Sequence, residues 1–550
     1  MERAQRAPSI RCHDGRPRYK RVRVTQTLHH WHLAVCLLSS LLMVGATARR
    51  CDAVGGVLVV NTEDEALQQP VAARMELYRA GGKPQIVRHV VPAGRGFVLN
   101  ESIELALPDG PYQFRLTRGP EYRVIEGNFT LERTSQDERT VKLPRIVDMK
   151  SEGWISCDMA VPPKTADLRL RMIAEDLHFA NGVGDQSDST PAALMPANLA
   201  PYKPLWTVHH SVASPDSDLL FCPTAGSSDA IVARAGEISA QMIDRVGADD
   251  SVRIAVVNPF AWSLPVWLAS GQVDGFFVLG DWLREDRRVE KIADGRPPGT
   301  IGFDGPRGPG RYAESIYWNL LEAGFRLAPL AGTGVKPGQT SATTIGYNRV
   351  YVTGGLSQDV ESSPEPRRGA ALLRSAADCL AAAWAGQSTV SNGPMLRPAL
   401  GGYPPGHVFR AAPGETLHLD MQLNLSVRDE VDYLEIMHNG RVFHSARLDE
   451  FAAAGGRLPE MKIDNSGWVT VRVVTQHEDH FRLATSAPWY FEFKGAPRIS
   501  RNAVVFFGTW LNDCEARLRA LPAEELAKHV PYVVAARKFW TGRLSEATVD

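Results

Sequence analysis

The residues able to do acid–base or metal chemistry in this 550-residue chain are few and scattered. Two carboxylates, Asp158 and Asp281, follow apolar runs that read as strands. They sit in Ser156-Cys157-Asp158-Met159-Ala160-Val161-Pro162 and in Gly280-Asp281-Trp282. Strand ends are where an α/β barrel carries its function. The other strand ends, Asn258-Pro259-Phe260 and Ala331-Gly332-Thr333-Gly334, add no histidine. His178 follows Glu175-Asp176 and reads first as a packed histidine at a helix end. His209 and His210 are adjacent, so on a strand they point to opposite faces and cannot both enter one site. His477 and His480 bracket Glu478-Asp479 in what reads as a solvated turn. Cys157 has no nearby histidine in sequence to draw off its proton. There is no G-x-S-x-G elbow, Walker loop or dinucleotide fingerprint. The pocket candidates are therefore Asp158, His178, His209 (or its neighbour His210) and Asp281. Their chemistry would be a rearranged mononuclear metal site or a metal-free binding pocket.

The elements that must position them fall into blocks. Residues 54–146 alternate apolar and polar in short runs at 73–78 and 102–107, with a turn at Pro108-Asp109-Gly110. Short strands with such turns predict a small β-sandwich. Residues 107–119 resemble a transthyretin-like or carboxypeptidase-regulatory-like module. Residues 147–396 mix continuous apolar strands (252–257, 273–279, 326–330, 350–353) with amphipathic helices (165–180, 311–325, 370–384). That alternation predicts an α/β barrel-like domain. The Gly- and Pro-rich stretch 294–311 reads as a surface loop. Residues 397–495 return to strands, with 417–425 alternating without a break and Asn439-Gly440 marking a type I′ hairpin. They predict a second β-sandwich, and 496–550 a strand and helical tail.

Composition narrows the function classes. Hydrophobic residues make up 44% and charged ones 22%, ordinary for a globular chain. Lys+Arg 61 against Asp+Glu 62 leaves a net charge of −1. The balance hides an asymmetry, because residues 1–32 carry eight Lys/Arg against Glu2 and Asp14. An apolar run over 33–44 and Ala46-Thr47-Ala48 follow, which together predict a signal peptide (1–48) cleaved near Ala48. That run is shorter than the roughly 20 residues needed to span a bilayer. The expected mature chain is exported, periplasmic or extracellular, without a membrane span and with the acidic excess. Nucleic acid is then a poor partner; a small molecule or a cell-envelope component is the open alternative. Seven dispersed cysteines, without a C-x-x-C pair, predict neither a disulfide framework nor a thiolate zinc site.

One ensemble of segments is more specific. Residues 149–162, Glu175-Asp176-Leu177-His178, residues 265–271, Gly346-Tyr347-Asn348-Arg349-Val350-Tyr351-Val352, Asn392-Gly393-Pro394 and Ala487-Pro488-Trp489-Tyr490 together resemble exported bacterial metallohydrolases. The family is the PHP (polymerase and histidinol phosphatase) superfamily, in the branch that includes carbaryl hydrolase. The resemblance covers most of residues 54–510. It implies a distorted (β/α)7 barrel flanked by two β-sandwich-like domains. It also implies two or three divalent metals, such as zinc, manganese or iron, held by a Gly-Asp-x-His-x-His segment and by later His and Asp ligands. Such metals activate water for hydrolysis of phosphoester, amide or carbamate bonds. This chain reads Cys157-Asp158-Met159-Ala160-Val161-Pro162 there, so Ala160 and Pro162 replace the two histidines. Neither side chain has a lone pair to offer a metal. The expectation is a binding or structural pseudoenzyme with no cofactor; the alternative is a divalent-metal hydrolase with a rearranged site.

Overall fold

The computed structural model of the chain describes residues 55–184, 195–224, 231–299, 302–336, 344–354, 373–479, 481–493 and 495–550. The leader expected over 1–48 lies outside the described residues, as does His480. The fold is mixed α/β and rich in sheet, with several sheets and eight α-helices among the described residues. No helix there is long and apolar enough to cross a membrane.

Residues 56–143 form nine strands in two sheets. One sheet joins Gln69–Pro70, Gly56–Asp64 and Ser102–Leu107, with Gln136–Leu143 running parallel to Gly56–Asp64. The other is antiparallel, in the order Pro92–Ala93, Gly96–Leu99, Ala73–Arg79, Gly110–Thr117, Ile125–Leu131. Period-2 alternation aims Leu58, Val60 and Leu105 of the first sheet at Met75, Leu77 and Leu116 of the second, in one core. Gln136–Leu143 gave no apolar signal, because five of its eight residues are charged or amide. It pairs along one flank only, where both faces of most of its length meet solvent.

The largest sheet has fifteen strands. Its first seven, in spatial order, are Ala328–Ala331, Gly275–Leu279, Val252–Val256, Leu219–Pro223, Trp206–Ala213, Phe179–Val183 and Trp154–Val161. The first three of these are mutually parallel, as are the last three. Leu219–Pro223 runs antiparallel to both neighbours, so the strict strand–helix alternation expected from sequence breaks there. The sheet curls back on itself: the backbone N–H of Gly334, just past one marginal strand, donates to Ala160 O on Trp154–Val161 at 2.8 Å. Beyond Trp154–Val161 the same sheet continues through Arg349–Thr353, Ser388–Ser391, Leu483–Ser486, Gly467–Thr475, Val431–His438 and Arg441–Ala446. Residues of the expected barrel and of the expected second sandwich thus share one hydrogen-bonded sheet.

The helix expected over 165–180 is the main local miss. The observed helix is Leu168–Ala174, and Phe179–Val183 is a fully buried strand. Asp176 takes a left-handed backbone (φ 50°) that stops the helix, a conformation an Asp tolerates better than most residues. The alternating run 417–425 is likewise split. Leu417–Leu419 pairs with Met461–Ile463, and Met421–Ser426 pairs with Met395–Leu400. The helix expected from 311 begins earlier, as Gly308–Glu322, with Pro309 in its first turn. Gly310 is required there, since a Cβ would lie 2.7 Å from the Phe481 ring. The hairpin at Asn439-Gly440 is as expected, with φ 50° and 72°. The tail holds two helices, Arg501–Leu518 and Ala523–Ser545; in place of a strand it has an isolated bridge between Ser500 and Val549. Trp540 anchors it to the body by donating to Pro265 O at 2.9 Å.

Candidate functional site

Trp154–Val161 is buried on both faces along its whole length, and its one charged residue is Asp158. Every oxygen of that carboxylate is engaged. Oδ1 accepts from the backbone N–H groups of Ala160 (3.1 Å) and Thr333 (3.0 Å). Oδ2 accepts from the Thr333 hydroxyl and from Gly346 N–H (2.9 Å). Asp158 therefore pins the ends of the curled sheet together. Burial pushes its carboxyl up to about 6, with the four donated hydrogen bonds pulling the other way. Gly332 packs so close that a Cβ on it would meet Ala160 N at 2.7 Å and Asp158 Oδ1 at 2.9 Å. The neighbourhood of this carboxylate is filled by protein backbone, and Ala160 and Pro162 add no ligand. The residues present do not fit the two- or three-metal centre that the family resemblance implies. Cys157, next in line, is a buried thiol beside Cys379, and burial raises its pKa well above that of a free thiol. That environment opposes a nucleophilic thiolate.

The other candidates are spread over different strands. His178 is buried, and its Nδ1 lies 2.9 Å from Ser156 Oγ. Burial lowers its pKa to about 4, so the folded protein holds it neutral at physiological pH. An unfolded histidine titrates near 6.5. Between those values only the unfolded state takes up the proton, so stability is lost as pH falls from about 6.5 to about 4. The full loss is about 3 kcal/mol. It is read as the difference in urea midpoint between the wild type and His178→Gln across that window; identical pH slopes would refute it. His209 is half-buried on Trp206–Ala213, and His210 on the same strand is exposed. Asp281 is half-buried just past Gly275–Leu279. Among the described residues no three His, Cys, Asp or Glu side chains gather where they could hold a metal ion.

What the tertiary structure gathers instead is a set of guanidinium–carboxylate contacts. Arg74 is almost wholly buried and bonds three carboxylates. Its Nε reaches Glu175 (2.6 Å), its Nη1 Glu76 (2.7 Å) and its Nη2 Glu285 (2.7 Å). Arg118, equally buried, bonds Asp176 at 2.7 Å and donates to Ala72 O and Ile173 O at 2.6 Å. Asp176 is held well below the usual carboxylate range by Arg118 and Arg145, against the opposing effect of burial. Glu285 is likewise held low by Arg74 and Arg115. These pairs tie the N-terminal sheets to the chain after helix Leu168–Ala174 and after strand Gly275–Leu279.

A cleft of about 700 Å³ opens beside Arg74. Its floor is the outer face of the five-stranded sheet, where register aligns two polar rows. One row is Tyr78–Gln113–Asn128 and the other Glu76–Arg115–Glu126. Arg95 and Glu285 border it, and so do His477, Asp479 and Arg482. His477, expected in a solvated turn, is half-buried at this border, and burial lowers its pKa. None of the four candidates from sequence lines this cleft. Its residues carried one faint signal, the polar positions of Arg74, Glu76 and Tyr78 alternating with apolar ones, which also describes any strand with a solvated face.

No family model and no curated protein matches the chain. Among solved structures it aligns with the Bacillus anthracis TIE protein at 17% identity, over 20% of each chain, with a TM-score of 0.15. It aligns with a Bacteroides uniformis β-glucuronidase at 10% identity, over 80% of this chain and 59% of that one, with a TM-score of 0.17. The chain thus spans one fifth and about three fifths of these two proteins. At such TM-scores neither likeness bears on fold, site or activity.

Proposed function

We propose that this chain is an exported PHP-like protein that has lost the metal site of its family and works as a binding or structural protein. The observation that carries the reading is the saturation of Asp158. The one carboxylate kept from the metal-binding segment spends both oxygens on Ala160, Thr333 and Gly346. A metal would have to displace these donors and would find Ala160 and Pro162 where imidazoles are needed. The seven strands from Trp154–Val161 to Ala328–Ala331, curled until their margins bond, are compatible with a distorted seven-stranded barrel. The antiparallel Leu219–Pro223 is a departure from it.

Elemental analysis of the purified chain tests the proposal. The expected result is zinc, manganese and iron far below one equivalent, with no turnover of phosphomonoester, amide or carbamate substrates after incubation with each metal. One tightly held equivalent, with turnover that a chelator abolishes, would overturn it.

A further inference from the structure

We infer that the polar cleft over the five-stranded sheet binds an uncharged oligosaccharide. The inference rests on the binding half of the reading above and is independent of the loss of metal. The cleft shares no lining residue with the surroundings of Asp158.

The floor is a flat array of planar hydrogen-bonding groups. Gln113 and Asn128 each bring an amide that donates and accepts, Arg115 brings a donor fork, and Glu126 accepts. Gln113, Glu126 and Asn128 are exposed. Neighbouring sugar hydroxyls also donate and accept, and they match such forks. Arg115 leans toward three carboxylates at 3.4–3.7 Å, long for charge-assisted hydrogen bonds, so its donors stay accessible to a ligand. Tyr78 also lines the cleft, as a ring surface for the C–H face of a sugar.

Charge selects against ionic ligands. Glu76, Glu126, Glu285 and Asp479 share the cleft with Arg95, Arg115 and Arg482. An anion or a cation would each meet like charge alongside its partners, which penalises both. A neutral polyol uses donors and acceptors of either sign. The site is also preorganised. Glu76 and Glu285 are fixed by Arg74, and the Tyr78 hydroxyl donates to Glu76 at 2.7 Å. These three side chains have little freedom left to lose on binding. The volume lies in the range of ordinary ligand pockets.

The test uses the full chain on an array of neutral oligosaccharides built from hexose, pentose and N-acetylhexosamine units, printed beside uronic-acid and sulfated glycans, followed by titration calorimetry with the best-retained neutral one. Saturable binding to at least one is expected. The double variant Gln113→Ala/Asn128→Ala is expected to bind it at least about tenfold more weakly, with an unchanged melting temperature. A blank array, retention only of uronic-acid or sulfated glycans, or full affinity in the double variant would each overturn the inference. Metal content measured on the same preparation separates the two readings. A blank array from metal-free protein removes only this one, whereas bound metal with turnover removes only the earlier one.

Discussion

Asp158→Ala is expected to destabilise the fold by about 4 kcal/mol, out of the roughly 5–15 kcal/mol that holds a typical domain together. The substitution strands the backbone N–H groups of Ala160 and Thr333 and the Thr333 hydroxyl in a fully buried place, and leaves Gly346 N–H only its longer bond to Thr333 Oγ1 at 3.3 Å. Each unsatisfied donor costs about 1–3 kcal/mol before local relaxation. Asp158→Asn keeps one acceptor oxygen but turns an NH₂ toward donors, so an intermediate loss of about 2 kcal/mol follows. Urea unfolding at pH 7 measures both. An alanine variant within about 0.5 kcal/mol of the wild type would show that the carboxylate is no clamp. The pH dependence has a definite sign. The folded carboxyl titrates at about 6, above the unfolded value near 3.9. The folded state therefore binds the extra proton. The stability this group contributes is complete below about pH 4 and is lost as pH rises through about 6. That is opposite to the effect of His178, so the two must be separated with single variants.

Arg74→Ala is expected to be still more damaging, by about 5 kcal/mol at neutral pH, because it abandons three carboxylates at once. Glu76 and Glu175 are almost fully buried, and Glu285 is 15% exposed. The nearest remaining cation, Arg115, stands 3.5 Å from Glu76 and 3.7 Å from Glu285. Arg74→Lys keeps the charge but cannot span three partners with a point-like ammonium, so about half of the loss remains. Uncompensated carboxylates take up protons readily, so the deficit of Arg74→Ala should shrink between pH 7 and pH 5. Unfolding midpoints at the two pH values decide the matter. Equal deficits would mean that lost packing rather than stranded charge is responsible.

How much of this was legible beforehand depended on how far apart the interacting residues lie. Local signals succeeded. Asn439-Gly440 makes its hairpin because two successive positive φ angles suit Asn and Gly. The stripe of Tyr312, Ile316 and Leu320 makes the buried face of Gly308–Glu322. Strand 102–107 alternates as it reads, whereas in the run read as alternating over 73–78 the polar Arg74 and Glu76 are buried too. Mixed signals failed. Residues 165–180 carry helical periodicity, yet a left-handed Asp176, bonded to Arg118 from another sheet, ends the helix early. Gln136–Leu143 is held as a strand by pairing with Gly56–Asp64 and not by any apolar pattern of its own. The Arg74 network had no signal beyond the alternation of Arg74, Glu76 and Tyr78 with apolar residues, and a guanidinium in an alternating strand ordinarily faces water.

By itself the sequence determined which side chains are available to chemistry. Ala160 and Pro162 cannot ligate a metal in any fold, because ligation depends on atoms they lack. Only the tertiary structure decided what the remaining groups do. Asp158 meets Thr333 and Gly346 across 175 and 188 residues of chain, and Arg74 meets Glu285 across 211. Whether a carboxylate is a ligand, a clamp or the wall of a cleft depends on its desolvation and its partners. Those are properties of packing between distant segments, which no local pattern of residues records.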